Sequence, residues 1–284
     1  MKTYLYILIT GLSILFACRK SDSPLYSEEA RKEIDSILQK NCNTDSLLIF
    51  LDSFKVANNM YGQVATYGQL GKVYRENASF DDAIQYHKRG LEMATQMNDT
   101  LEIVKALNNL GTNYRRIGIL TEASEYHFRA LGLIEKMKGR TYDIKKNRLV
   151  AMNGIGNIYL SLGNNNAAER VFRNSLAGEK ELNSALGQAI NTANLGFIFE
   201  SREEYDSAYI YFKQSLSYNQ QAKSDLGISL CYNHFGNLHE KKGELDDAEK
   251  EIHQIIEICE EYDLSENYGK CNYLLGNIYL KRKD

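Results

Sequence analysis

The sequence contains almost no proline and no tryptophan. Among its 284 residues there is one proline, Pro24, and the aromatic residues are 20 tyrosines and 10 phenylalanines. Because proline breaks the interior of a helix, a chain that nearly lacks it is compatible with long helices. Charge of one sign is not in excess either, since the formal net charge is -3. Such a balanced charge gives no sign of a surface that binds nucleic acid or acidic lipid, so we expect partners of another kind.

The first residues differ in character from the rest of the chain. Lys2 precedes an uncharged, mostly apolar run from Tyr4 to Ala17. That run is too short to span a bilayer as a helix and is typical of a signal-peptide core. Its end, Leu15-Phe16-Ala17-Cys18, resembles the lipobox of bacterial lipoproteins. The alternative is a plain signal peptide that happens to be followed by a cysteine.

The lipobox resemblance implies a location as well as a modification. Residues 1–17 are then the signal peptide, Cys18 carries lipid, and residues 18–26 form a polar tether. No later stretch is long and apolar enough to cross a membrane, so the lipid is the predicted anchor. We therefore expect the mature chain in the bacterial cell envelope, on the periplasmic or surface side.

An apolar residue followed by glycine recurs along the chain, and we call this glycine the motif glycine. The intervals between motif glycines are 40, 45, 40, 40 and 40 residues, in Gly71, Gly111, Gly156, Gly196, Gly236 and Gly276. Twelve residues after each of the first five stands alanine: Ala83, Ala123, Ala168, Ala208 and Ala248. Sixteen residues after stands a ring or large apolar residue: His87, His127, Phe172, Phe212 and Ile252. A fixed period of this length is typical of repeat proteins.

The spacing within each repeat predicts a pair of helices. Residues three and four apart share one face of a helix, and the glycine and alanine positions suit places where two backbones approach closely. Polar or glycine-containing breaks, such as Gly118 and Gly243, separate the two helices of a repeat. The five extra residues between Gly111 and Gly156 are predicted to form a longer turn around Lys138 to Lys146.

Together these positions resemble the tetratricopeptide repeat, in a long form of about 40 residues. The resemblance implies an all-α, right-handed superhelical solenoid of antiparallel helix hairpins. It assigns residues 60–284 to five full repeats and a half repeat, and residues 27–59 to N-terminal capping helices or a degenerate repeat. Repeats of this kind bury a continuous core between neighbours, and their partners usually bind the concave face built by the first helix of each repeat.

Signals of catalysis are weak. Gly154-Ile155-Gly156 begins like a dinucleotide fingerprint, but Tyr159 replaces the third glycine and no strand precedes it. His87, His127 and His239 occupy positions that hold rings or large apolar residues in other repeats, which indicates packing. We therefore expect no enzyme activity, no cofactor and no metal site.

Three positions of the predicted first helices point to a groove for a peptide or protein ligand. They lie directly after the motif glycine, three residues before it and four residues after it, and asparagine or a basic residue is frequent at each. An asparagine amide offers both a donor and an acceptor to an extended peptide. The predicted partner-binding residues are Lys72, Arg75, Lys105, Asn108, Arg115, Arg116, Asn153, Asn157, Asn233 and Asn237. Basic residues would gather in the N-terminal half, while Glu200 and Glu240 lie in the other half, so a ligand would be oriented by charge.

Three functions remain open at this stage. The first is a lipid-anchored scaffold that binds a protein or peptide. The second is the N-terminal sensing arm of a larger membrane-spanning transcriptional regulator, an interpretation that rests on analogy of fold. The third is a glycan-binding lipoprotein. None of the three requires nucleic acid to bind within this segment.

Overall fold

The computed structural model describes residues 27–261, 271–272, 275–279 and 281–282. The predicted signal peptide, Cys18 and the tether lie outside these ranges. Within the described residues the chain forms twelve complete helices and no strand, which confirms the predicted all-α class. The helices are α1 Glu28–Lys40, α2 Thr44–Val56, α3 Met60–Glu76, α4 Phe80–Gln96, α5 Thr100–Arg116, α6 Leu120–Ile134, α7 Tyr142–Ser161, α8 Asn165–Glu181, α9 Ala185–Ser201, α10 Tyr205–Gln221, α11 Asp225–Lys242 and α12 Leu245–Glu261.

Tight turns at a regular spacing join most of these helices. A residue with positive φ follows nine of the described helices, and these residues recur every 20 positions on either side of one longer interval: Asn58, Ala78, Asn98, Gly118, Gly163, Asn183, Glu203, Lys223 and Gly243. The next residue often caps the following helix with its side chain, as Asp99 does by accepting from the amides of Leu101 and Glu102. A left-handed residue followed by an N-cap is an efficient way to stop one helix and start another. Two helices, each with its turn, therefore make up one repeat of 40 residues.

The longer connection lies earlier than predicted. The residues between α6 and α7 are 135–141, and α7 begins at Tyr142, so the prediction of a turn through Lys146 is wrong for its second half. The side chain of Thr141 accepts a hydrogen bond from the amide of Ile144 at 3.4 Å and starts the helix there. As a result α7 is 20 residues long, against 17 for most of the others.

The chain divides into two compact units, which we call the N-terminal unit (residues 1–154) and the C-terminal unit (residues 155–284). In the N-terminal unit, α1 and α2 pack on α3 through a core that includes Leu38, Leu47 and Phe50. In the C-terminal unit, α9 packs on α10 and α11 packs on α12. In these two hairpins, as in α3–α4 and α5–α6, the first helix lies against the second helix of its own repeat.

Where a ring stands sixteen residues after a motif glycine, it packs on that glycine. A Cβ atom added to Gly156 would lie 2.6 Å from Cε1 of Phe172, and one added to Gly111 would lie 2.7 Å from Nε2 of His127. His87 covers Gly71 in the same way. No side chain fits in these positions, so the glycine is required by the close approach of the ring. The predicted packing role of His87 and His127 is confirmed, since their side chains are buried.

Candidate functional site

The first helices of the N-terminal unit line a cavity of about 450 Å³. Its walls are α3, α5 and the start of α7, and α1 contributes residues at one edge. Three of the predicted partner-binding residues face it: Lys72 on α3, and Lys105 and Asn108 on α5. Ligand-binding clefts commonly have volumes of about 300–1,000 Å³, so this cavity is large enough to receive side chains of a ligand.

Two acidic groups on the cavity wall already have partners within the protein. Lys105 Nζ lies 2.7 Å from Glu102 Oε1, and Glu102 is only 5% exposed. Burial raises the pKa of Glu102, and the neighbouring Lys105 opposes that rise. Burial acts against the charge of Lys105, but the pair with Glu102 raises its pKa overall. Asp35 accepts a hydrogen bond from the hydroxyl of Tyr61 at 3.0 Å.

Lys72 is the cavity lysine without an acidic partner. Among the residues that the structure describes, no carboxylate lies within ion-pair distance of its ammonium group. Burial lowers the pKa of Lys72, the positive charges of Arg75 and Lys105 lower it further, and the negative charges of Glu76 and Asp35 act in the opposite direction. The cavity therefore presents a cation that the protein itself does not neutralise.

Asn108 has a structural task in the cavity wall. Its side chain is 3% exposed, and Nδ2 donates to the carbonyl oxygen of Asn147 at 3.0 Å. Its Oδ1 lies 3.4 Å from Nδ1 of His127. These contacts connect α5 to α7 and to the second helix α6, so the amide of Asn108 holds the wall in place.

The three predicted arginines are not part of the cavity lining. Arg75 reaches from α3 to α5, where its Nη1 donates to Asn109 Oδ1 at 3.2 Å and lies 3.5 Å from Asn113 Oδ1. Burial lowers the pKa of Arg75, and burial also lowers the pKa of Arg115. Arg116 is exposed, and its guanidinium lies 5.5 Å from the centre of the Phe80 ring. A cation over an aromatic face is weakly stabilising at such a site.

The remaining predicted asparagines are distributed over both units. Asn153, in the N-terminal unit, is partly buried, as are Asn157 and Asn237 in the C-terminal unit. Asn233 is 5% exposed and accepts from Sγ of Cys271 at 3.9 Å, so it faces the interior.

The predicted acidic half of the groove is neutralised internally. Glu200 lies 2.6 Å from Lys241 Nζ, and Glu240 lies 2.9 Å from Lys281 Nζ. These pairs span from one first helix to the next and use the carboxylates as links between repeats. The two carboxylates therefore offer a ligand far less charge than the sequence pattern indicated.

Sequence reasoning missed a second, smaller cavity in the C-terminal unit. It has a volume of about 220 Å³, and its walls are α9 and α11. Leu186, Ile190 and Leu226 line it and remain about half exposed, at 50%, 46% and 54%. Large aliphatic residues stand ten and six positions before the motif glycine in both helices, and that pattern was the available signal.

Membrane-spanning helices and clusters of metal-ligating side chains are two further features that bear on function. None of its helices has the length and apolar character needed to cross a membrane. His239, Glu244 and Asp247 place their ligand atoms within 4.8 Å of one another. Here His239 Nδ1 lies 2.7 Å from Glu244 Oε2, and Lys242 Nζ lies 2.9 Å from Glu244 Oε1. This grouping is accounted for by ion pairing around Glu244.

Comparisons with known proteins agree with the repeat architecture. Two family profiles, both described as Tetratricopeptide repeat, match residues 66–101 and 148–184. No curated protein matches the sequence. The chain therefore contains tetratricopeptide repeats at these two segments.

Solved structures extend the likeness to most of the chain. The Rap conjugation gene regulator of the plasmid pLS20, in complex with the Phr* peptide, superposes with a TM-score of 0.69 at 14% identity, over 95% of this chain and 78% of that one. A Rap protein complexed with Competence and Sporulation Factor gives a TM-score of 0.67 at 17% identity, over 98% and 88%. A signal transduction ATPase with a tetratricopeptide repeat sensor, from Pyrococcus horikoshii, gives 0.60 at 18% identity, over 91% and 41%. At these identities the likeness establishes the fold, a helical solenoid of the tetratricopeptide type.

Proposed function

We propose that this chain is a lipid-anchored scaffold of the bacterial cell envelope that binds a peptide, or a peptide segment of a protein, through the first helices of its repeats. The observation that carries the proposal is the cavity of about 450 Å³ in the N-terminal unit. Its walls combine the ammonium of Lys72, the amide of Asn109 and the apolar Val64. Such a mixture suits a peptide, which presents backbone amides together with side chains of both kinds. One of the similar structures is itself in complex with a peptide.

Gly68 offers a way to close the cavity without disturbing the fold. It lies in the middle of α3, lines the cavity, and a Cβ atom added to it would meet no atom within 4 Å. We expect Gly68→Phe to abolish capture of peptides from an unbiased library displayed on phage, because the ring fills the binding space. Replacing a helical glycine also removes a conformational cost, so the variant should remain folded.

Gly132 provides the matched control for that experiment. It lies in the second helix α6, also meets nothing within 4 Å and does not line the cavity. Gly132→Phe should capture the same peptides as the unmodified full-length chain in detergent. Equal capture by the two variants would show that peptides bind elsewhere, and this proposal would then be wrong about the site.

The lipid anchor is tested at Cys18, which lies outside the described residues. We expect Cys18→Ala to prevent incorporation of radiolabelled palmitate and to release the chain from the membrane fraction, because the acyl chains would be its means of attachment. Cys42 is exposed in the structure, and Cys42→Ala should leave both labelling and fractionation unchanged. A Cys18→Ala protein that stays in the membrane fraction at full labelling would contradict lipidation.

A sensing arm of a larger regulator is the second candidate function. It is favoured by the similarity to an ATPase that carries a tetratricopeptide repeat sensor. Sequencing the coding DNA beyond codon 284 separates the candidates: a membrane helix followed by a DNA-binding domain would support the sensing arm. A scaffold requires no such domains.

A further inference from the structure

We propose that the smaller cavity, between α9 and α11 of the C-terminal unit, binds a small uncharged molecule that combines an apolar body with one hydroxyl group. This inference does not depend on the proposed function, because the peptide site proposed above lies in the N-terminal unit. It concerns a different cavity and a different class of ligand.

Two stripes of side chains form facing walls of this cavity. The stripes are Leu186, Ile190 and Ala193 on α9, and Leu226, Leu230 and His234 on α11. Within each stripe the residues are three or four positions apart, so they share one face of their helix. An apolar cavity of about 150 Å³ is large enough to hold benzene. The volume here is about 220 Å³, which leaves room for a ring or a short alkyl chain.

The walls carry no charge that would attract an ionic ligand. None of the described residues that line the cavity is an aspartate, glutamate, lysine or arginine. A charged group brought into such a cavity would lose hydration without gaining a countercharge. An ionic ligand is therefore disfavoured. The half-exposed side chains of Leu186 and Leu226 favour an apolar ligand, which would withdraw them from water.

Most polar side chains of the lining already have partners within the protein. Ser215 Oγ donates to the carbonyl oxygen of Ala189 at 2.9 Å. Asn219 Nδ2 donates to the carbonyl oxygen of Ser215 at 3.1 Å and lies 3.4 Å from Cys231 Sγ. Ser224 caps the start of α11 by accepting from a backbone amide. The hydrogen-bonding groups of these side chains are thus largely used inside the unit.

His234 is the polar group of the lining that remains available to a ligand. The rings of Phe197 and Phe212 hold its imidazole in place, with centroid distances of 4.7 and 4.9 Å. Among the described residues none forms a hydrogen bond or an ion pair with its ring nitrogens. Burial lowers the pKa of His234 to about 4, so the imidazole is neutral at physiological pH. A neutral imidazole has one donor and one acceptor nitrogen, and a hydroxyl group can bond to either.

The repeat pattern does not account for a histidine at this position, two residues before the motif glycine Gly236. The equivalent residues of the other repeats are Gln69, Asn109, Gly154, Asn194 and Leu274. His87 and His127, in contrast, occupy the packing position, and the Nδ1 atom of each contacts an asparagine side chain at 2.9 and 3.4 Å. A hydrogen bond from His234 to a ligand would form in apolar surroundings, where it is stronger than in water.

The test is calorimetric titration of the full-length chain in detergent with four probes. Para-cresol and para-xylene differ by the exchange of a hydroxyl for a methyl group, and hexanol and hexanoate differ in charge. Ala193→Leu fills the cavity, and its signal is subtracted because micelles take up each probe equally in both samples. We expect para-cresol and hexanol to bind the unmodified chain in preference to this variant, and hexanoate to bind neither. The tighter of the first two shows whether the ligand is a phenol or an alkyl alcohol, and either result supports the site.

His234→Phe tests the role of the imidazole, because it keeps an aromatic ring and removes both nitrogens. The variant should lose about three- to ten-fold in affinity for para-cresol, the range expected for one hydrogen bond, and should bind para-xylene as before.

Ala177→Leu is the control for the filled cavity, since Ala177 is exposed on α8 and does not line it. Should Ala193→Leu not fold, Ile190→Asp replaces a half-exposed residue with a charge at the cavity and should also weaken para-cresol binding several-fold.

Equal binding of para-cresol by the unmodified chain and by the filled variant would overturn the site. An equal loss of para-cresol and para-xylene in His234→Phe would show that the hydroxyl is not recognised. Hexanoate that binds as tightly as hexanol would contradict an uncharged ligand. If no probe binds but library peptides lose capture with Ala193→Leu, the cavity receives a peptide side chain and this inference is wrong. The effect of Gly68→Phe on peptide capture bears on the proposed function alone.

Discussion

Replacing Phe172 with alanine is expected to lower the free energy of unfolding by about 3–5 kcal/mol, the range found when a buried aromatic ring is deleted. Phe172 is fully buried, and its ring lies on the backbone of Gly156. The surrounding core residues, Leu195 and Ile198 among them, cannot collapse into the vacated space without moving the hairpin. The measurement is urea unfolding of the full-length chain followed by circular dichroism.

A second substitution tests the reason for this loss. Gly156→Ala alone should cost about 1–3 kcal/mol, because the added methyl group collides with the ring of Phe172. In the Phe172→Ala background the same change should be neutral or stabilising, since the ring is gone and alanine favours a helix over glycine by about 1 kcal/mol. The sign of the effect of one methyl group therefore depends on a residue sixteen positions away.

Phe128→Ala is the control for ring deletion, because Phe128 is 47% exposed on α6 and covers no glycine. Its loss should be well below that of Phe172→Ala. An equal cost of Gly156→Ala in both backgrounds would mean that the motif glycine serves something other than the ring. The recurrence of the motif glycine every 40 residues would then have another physical cause.

The ring on the glycine explains why so much of the fold could be predicted from the sequence. Because the glycine and the ring must be in contact, the number of residues between them is the same in each repeat that has the ring. The repeat can therefore be recognised in the sequence even where its other positions vary. The position holds His127 in one repeat and Phe172 in the next, and both rings lie on a motif glycine. The left-handed turns, such as those at Asn58 and Asn98, add a second fixed period.

The candidate site was less predictable than the fold, because several of its residues lie outside the positions that recur in every repeat. Asp35 and Gln39 belong to α1, which precedes the repeats with a motif glycine, yet both line the larger cavity. Asp143 and Lys146 also line it, although the sequence pattern placed them in a turn. The start of α7 depends on the local cap by Thr141, which a repeat alignment does not reveal.

Two of the predicted partner-binding asparagines are buried in the structure. Asn108 and Asn233 occupy the same repeat position, and both turned out to be buried. A sequence pattern cannot distinguish an asparagine that faces a ligand from one that holds a neighbouring helix, because both need a donor and an acceptor. The apolar cavity was missed for the opposite reason, since Leu186 and Ile190 read as ordinary helix packing.

The buried histidines predict a marked loss of stability in mild acid. Burial lowers the pKa of His127 to about 4, and Arg115 acts in the same direction. Burial, Arg75 and Lys72 lower the pKa of His87 to about 3, with the carbonyl of Gly68 opposing them. In the unfolded chain both imidazoles return to a pKa of about 6.5. The unfolded state therefore binds protons first as the pH falls.

The difference between the folded and unfolded pKa values determines the pH range over which stability is lost. The stability is fully present above about pH 6.5 and is lost as the pH falls from there toward the folded-state values. Between about pH 7 and about pH 5, each of these histidines should lower the free energy of unfolding by about 2 kcal/mol. Urea unfolding at a series of pH values measures the loss.

His127→Phe places at this position the residue that Phe172 and Phe212 provide in the next repeats, and the new ring cannot titrate. We expect this variant to lose about 2 kcal/mol less than the unmodified chain between the two pH values. A wild-type stability that is flat over this window would mean that the rings are not buried in solution.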